Sequence, residues 1–214
     1  FRRSRGLGDV YKRQVLDRMN VEWKACLKEP GPGMDEILAK LDQSADDACA
    51  DRKVPGSREP VFFDRVLRQE DTYFRVNQSR LKLREMPQED PELIWYRRPN
   101  VGGIRTCQYR RLKVTRVDRV KAGLSAVLGV EAVVVKRRRL YRWRNVRIHV
   151  DQVDQLGNFI EFEAVLSDSE QIQTGEGQLE QLRSWLDLGR ATTIATSYLE
   201  LLMGRGRICE QPPK

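Results

Sequence analysis

Residues 80–85 read Arg-Leu-Lys-Leu-Arg-Glu, a charge and a leucine by turns. A period of two belongs to a strand, whose successive side chains point to opposite faces. Leu81 and Leu83 therefore share one face, and Arg80, Lys82 and Arg84 the other. The same sorting returns along the chain. Glu22 and Lys24 share a face against Val21, Trp23, Ala25 and Leu27. Lys136 and Arg138 share one, as do Arg147, His149 and Asp151, and as do Glu161 and Glu163 opposite Ile160 and Phe162. On an open half-buried sheet such faces meet water. In a closed barrel sheathed by helices they converge inside, where charges are tolerable only if paired or occupied by a ligand.

Strands are predicted over 20–28, 80–85, 93–98, 107–115, 131–143, 145–153 and 158–166, with two more inside 61–76 joined near Gln69-Glu70. Helical spacing runs from Met34 through Ile37, Leu38, Leu41 and Ala45 to Ala48. A short helix through Leu128 is capped by Asp118 and stopped by Gly129. Two more cover 176–188 and 192–203, ended by Gly189 and Gly204. Strands interrupted by helices, rather than alternating with them one for one, indicate an α+β fold with a large sheet or barrel.

With 214 residues the chain suffices for one domain with a substantial core. It has no run of 18 apolar residues. Residues 1–14 read as a basic leader outside the fold, 15–204 as the domain and 205–214 as a tail. Five cations against Asp9 within residues 1–13 account for half of the formal charge of +8, so the remainder is too mild to indicate nucleic acid. The four cysteines form no CxxC pair and read as buried thiols of a reducing compartment, here the cytoplasm. One histidine, His149, rules out a two-histidine metal site and reads as a hydrogen-bonding group of the lumen. Carboxylates, a hard metal and cations remain as tools.

Glu22, Asp151, Glu161 and Glu163 suit one or two divalent ions of the Mg²⁺ or Mn²⁺ kind, which take oxygen ligands. Lys24, Lys82, Arg84, Lys136 and Arg138 suit a polyanion. A chain of phosphates bridged by metal satisfies both sets, and a small triphosphate enters a narrow barrel where a duplex cannot.

The order of NVEWK, RLKLRE, LIWYRRP, VVVKRRRLY, VRIHVDQVDQLGNFIEFEAV and TSYLELL, spread over about residues 19–203, resembles the CYTH superfamily of triphosphate tunnel metalloenzymes. That resemblance implies a closed antiparallel eight-stranded β-barrel with flanking helices. It implies Glu22, Asp151, Glu161 and Glu163 as ligands of Mg²⁺ or Mn²⁺. Phosphate contacts would come from Lys24, Lys82, Arg84, Arg97 or Arg98, Arg110, Lys136 and Arg138, with Lys24, Arg84 and Glu163 in the catalytic set. Two positions depart from the family pattern. Asn20 stands where ExExK has its first glutamate, and Thr196 where a basic residue often precedes Ser-Tyr. The expected activity is hydrolysis of ATP, thiamine triphosphate or tripolyphosphate. The alternatives are a class IV-type adenylyl cyclase and a non-catalytic polyphosphate-binding module, acting as monomer or homodimer. Tyr198 and the four tryptophans are expected to pack rather than to act.

Overall fold

A computed structural model describes residues 16–46, 53–167 and 171–204. Its strands are β1 (Leu16–Cys26), β2 (Phe62–Phe74), β3 (Arg80–Met86), β4 (Glu89–Arg97), β5 (Arg105–Lys113), β6 (Val130–Trp143), β7 (Val146–Val153) and β8 (Gly157–Leu166). All pair antiparallel and close into a barrel in the order β1-β5-β4-β3-β2-β6-β7-β8. The helices are α1 (Met34–Asp46), α2 (Val117–Leu128), α3 (Ile172–Trp185) and α4 (Tyr198–Leu202), with a 3₁₀ turn at Leu188–Arg190. None is long and apolar enough to cross a membrane. The predicted leader and tail lie outside the described residues.

Alternation places the greasy faces outward. Val21, Trp23 and Ala25 of β1, Ile148 and Val150 of β7, and Ile160 and Phe162 of β8 are buried beneath Ile37 and Leu41 of α1 and Leu179 and Leu182 of α3. At about 25 cal/mol per Å² of apolar surface, this sheath is the main source of stability. Gly175 lets α3 sit close against the sheet: a Cβ there would stand 3.2–3.5 Å from Leu166, Ala164 and Val21. On the other flank α2 packs Val117, Val120, Leu124 and Leu128 over Phe74, Leu83 and Val114. A second apolar cluster, including Cys26, Tyr73, Ile94, Tyr96, Val134, Phe159, Tyr198 and Leu199, fills one end of the barrel interior.

Four expectations are corrected. Residues 62–74 form one strand and not two, because Gln69 is buried toward the lumen while Glu70 reaches outward to Lys121, so the polar pair straddles a continuous strand. Asp118 lies in the first turn of α2, and the N-cap is Arg116 with φ 55° and no side-chain cap. Gly129 does end that helix, at φ 73°. The final helix shrinks from 192–203 to Tyr198–Leu202, where Ser197 and Glu200 form a capping box. The preceding stretch includes Thr193, which bridges Ala25 of β1. The predicted 176–188 helix begins earlier, at Ile172, and ends at Trp185, before Gly189.

Candidate active site: a charged tunnel

The inward positions line a cavity of about 280 Å³. Ten lysines and arginines and four glutamates border it, together with Asn20, His149 and several tyrosines. Each charged strand delivers its side chains by the predicted period of two: Asn20, Glu22 and Lys24 from β1, Lys82 and Arg84 from β3, Lys136 and Arg138 from β6, Arg147 and His149 from β7, and Glu161 and Glu163 from β8.

On one side of the tunnel the cations stand on buried aspartates. Arg84 donates to both oxygens of Asp71 at 2.8 and 3.1 Å, and Lys82 donates at 2.9 Å. Arg138 grips Asp151 with two bonds of 2.6 Å. The Lys136 ammonium lies between the two acids, 3.7 Å from Asp71 and 3.8 Å from Asp151. Burial, reinforced by Arg84, pushes the Lys82 ammonium down to about 8, and burial reinforced by Arg138 pushes Lys136 down to about 7. Burial alone would raise Asp151, but Arg138 and Lys136 hold it below the usual carboxylate range.

On the adjoining strands β8 and β1 the acids are glutamates. Glu161 meets Lys24 at 3.0 Å, Arg138 at 3.1 Å and His149 Nδ1 at 3.3 Å. Glu163 lies 3.4 Å from Arg147 and 4.0 Å from His149 Nε2. One oxygen of Glu22 accepts from both Arg98 and Arg105, the latter at 3.0 Å. Against the upward pull of burial, Lys24 and His149 hold Glu161 well below its ordinary range, and His149 and Arg147 lower Glu163. Burial and the nearby Arg138 depress His149, which favours a neutral imidazole. At the mouth, Arg111 pairs with Glu92 and Arg65 with Glu89.

A profile of the CYTH domain matches residues 35–198. The chain belongs to the CYTH family. A Methanocaldococcus jannaschii protein proposed to be an adenylate cyclase is 26% identical over 148 residues, covering 67% of this chain and 80% of the relative. A Pyrococcus horikoshii protein superposes with a TM-score of 0.63 at 18% identity, over 85% of this chain and 98% of its own. A Hippeastrum protein, described as a proposed adenylyl cyclase with a dominant triphosphatase activity, superposes with a TM-score of 0.53 at 12% identity, over 87% and 95%. The structural likenesses establish the triphosphate tunnel fold. CYTH members are adenylate cyclases or triphosphatases, and their tunnels generally depend on a divalent metal.

Within this CYTH tunnel several predicted residues shift. Of the two arginines left open, Arg98 lines the cavity and Arg97 is exposed on the outer face. Arg110 is also outside, exposed and set over the Trp95 ring at 5.8 Å, while Arg111 is the member of that pair that lines the cavity. Asp151 is wholly buried behind Arg138, with both oxygens engaged and Tyr198 Oη donating at 2.9 Å. Tyr198 thus does more than pack; the Lys24 ammonium also sits 4.1 Å from its ring centre. Asp71, Arg105 and Arg111 went unnoticed. Asp71 shares the inward parity of Tyr73, and the two arginines that of Cys107, so alternation of charge with apolar residues does not mark them.

The donor chemistry suits a hard divalent ion. The Asn20 side-chain oxygen is buried at the cavity wall with no hydrogen-bond partner, two residues before Glu22, whose register partner on β8 is Glu163. Neutral and anionic oxygens are what Mg²⁺ and Mn²⁺ accept. Among the described residues the carboxylates are held by cations, His149 lies against Glu161, and no three such groups are gathered into a cluster.

Proposed function

We propose that this CYTH chain binds a small triphosphate in its tunnel together with Mg²⁺ or Mn²⁺ and hydrolyses it. The cavity lining carries this reading: the surplus of lysine and arginine over glutamate fits a polyanion, and the oxygen donors fit the metal that a polyanion brings. Asn20, Glu22, Glu161 and Glu163 would hold the ion, which when bound neutralises phosphate oxygens and acidifies water. Lys82, Arg84, Lys136 and Arg138 grip phosphate oxygens from the aspartate-backed side, Arg84 and Arg138 with fixed guanidinium planes. Lys24, set between Glu161 and the Tyr198 ring, stabilises charge developing on the leaving phosphate. Lys24, Arg84 and Glu163 are the residues assigned to the reacting phosphorus.

The similarity to a proposed adenylate cyclase supports a second reading, attack of a ribose 3′-hydroxyl on the α-phosphorus with pyrophosphate leaving. Hydrolysis is favoured because three of the four tyrosines lining the cavity already face cations: Lys82 lies near the Tyr73 and Tyr96 rings, and Lys24 and Lys136 lie near Tyr198. Those rings give a purine little open surface. The test is product identity from ATP, thiamine triphosphate and tripolyphosphate with Mg²⁺ or Mn²⁺. Phosphate release abolished by Glu163→Ala is expected. Cyclic AMP with pyrophosphate would establish the cyclase, and tight binding without turnover a binding module.

A further inference from the structure

Asp71 lies on β2 between the two strands whose cations it collects. It faces Arg84 of β3 in register on one side and Val134 of β6 on the other. Its side chain is fully buried. Arg84 occupies both oxygens, Lys82 bonds the second, and Lys136 approaches that same oxygen from β6 at 3.7 Å. Three long cationic side chains from two strands therefore rest on one short carboxylate of the strand between them. Unbraced, each would be free to sample many rotamers, and fixing a long lysine or arginine side chain costs more conformational entropy than fixing a short one. An aspartate, one methylene from the backbone of a strand bonded on both sides, has little freedom to move with them.

We propose that Asp71 is a positioning residue of the polyphosphate site, fixing Lys82, Arg84 and Lys136 at the spacing in which they meet the phosphate chain. The inference rests on the triphosphate reading of the tunnel. Asp71 touches no substrate; it acts through the three cations. It also governs how well one of them keeps its proton. Lys82 is faced by Asp71 and Tyr73 of β2, Arg84 of its own strand, Tyr96 of β4 and Arg138 of β6. Burial and the arginines push its ammonium down, and among these neighbours Asp71 pulls it back up. Without the Asp71 charge the ammonium titrates lower still. The defect in anion binding must then widen as pH rises, which a loss of packing does not predict.

Metal-free tripolyphosphate binding to the full chain, measured by calorimetry at about pH 6, well below the Lys82 transition, and at about pH 8, within it, tests this. Asp71→Asn is expected to bind at least about tenfold more weakly at the higher pH, with the deficit narrowing at the lower. Asp42→Asn supplies the structural control, because Asp42 grips Arg139 by two 2.9 Å bonds on the outer face. It is expected to lose stability and keep affinity. Equal binding by wild type and Asp71→Asn overturns the inference and leaves the triphosphate reading standing. A deficit independent of pH, or one matched by Asp42→Asn, overturns it as well. Wild-type protein that binds no tripolyphosphate overturns the reading and the inference together. Should Asp71→Asn fail to fold, Asp71→Glu decides: charge kept but carboxylate displaced predicts weaker binding with the wild-type pH dependence, and wild-type affinity overturns the proposal.

Discussion

Asp71 and Asp151 on β2 and β7, and Glu22, Glu161 and Glu163 on β1 and β8, face the same lumen with the same charge, yet they differ in depth. Both aspartates are 0% exposed with each oxygen engaged, whereas the Glu163 side chain is 21% exposed and its nearest cation is 3.4 Å away. One methylene separates the two behaviours. The short acid remains behind the cations and braces them; the long acid reaches past them to the cavity surface. One side therefore presents cations over a buried negative base, and the other presents carboxylates themselves. Position along the strand does not distinguish the two roles, but side-chain length does.

The sharpest way to break this comparison is to neutralise one acid of each kind. Glu163→Gln removes a carboxylate at the cavity surface. Phosphate release is expected to fall by roughly 10³-fold or more, with stability changed by no more than about 1 kcal/mol, because its ion pair is partly solvated. Asp151→Asn should do the reverse in stability, costing about 3–5 kcal/mol in chemical denaturation because Arg138 is left buried without its bidentate partner. A Glu163 variant that unfolds, or an Asp151 variant as stable as wild type, would erase the distinction.

A smaller effect follows from the engagement of both kinds of acid with cations. Phosphate oxygens can relieve the arginines and lysines, and a metal can relieve the glutamates, so each ligand frees partners for the other. Mn²⁺ affinity read by electron paramagnetic resonance, corrected for metal bound to free tripolyphosphate, should rise with tripolyphosphate by about 1–3 kcal/mol of coupling. Polyphosphate affinity should also fall as pH climbs through the window set by Lys136, at about 7, and Lys82, at about 8. Both groups carry their charge below those values and lose it above, and the bound anion favours the charged form, so binding takes up protons. Affinity flat across that window, or no gain in Mn²⁺ binding, would show the two sides to be independent.

The barrel was legible because β1, β3, β7 and β8 sort charge and grease onto opposite faces, and only closure lets such faces share a lumen. The rule weakens on β4 and β5. There Ile94, Tyr96, Cys107 and Tyr109 point inward, as part of the apolar cluster that fills one end of the barrel, and they share their face with Arg98, Arg105 and Arg111. Apolar out and charged in does not describe a strand whose inner face crosses from an apolar end to a charged middle. Asp71 escaped for a related reason: its inward neighbour Tyr73 reads as packing. The bracing itself is a contact between strands, which no single strand records.

The adjacent pairs Arg97/Arg98 and Arg110/Arg111 turn that ambiguity into the mildest test. In each pair the first arginine is on the outer surface and the second lines the cavity. Arg97→Gln and Arg110→Gln should leave stability within about 0.5 kcal/mol and tripolyphosphate affinity within about twofold, since a solvated surface charge contributes little at close range and is screened beyond about 10 Å. Arg98→Gln, which takes a buried guanidinium from Glu22, should weaken binding clearly more than Arg97→Gln measured at the same salt. Equal losses across a pair would mean that long-range potential, and not which face a side chain occupies, governs the tunnel. Increasing ionic strength separates these cases, because the effect of an outer arginine fades with salt while that of an inner one persists.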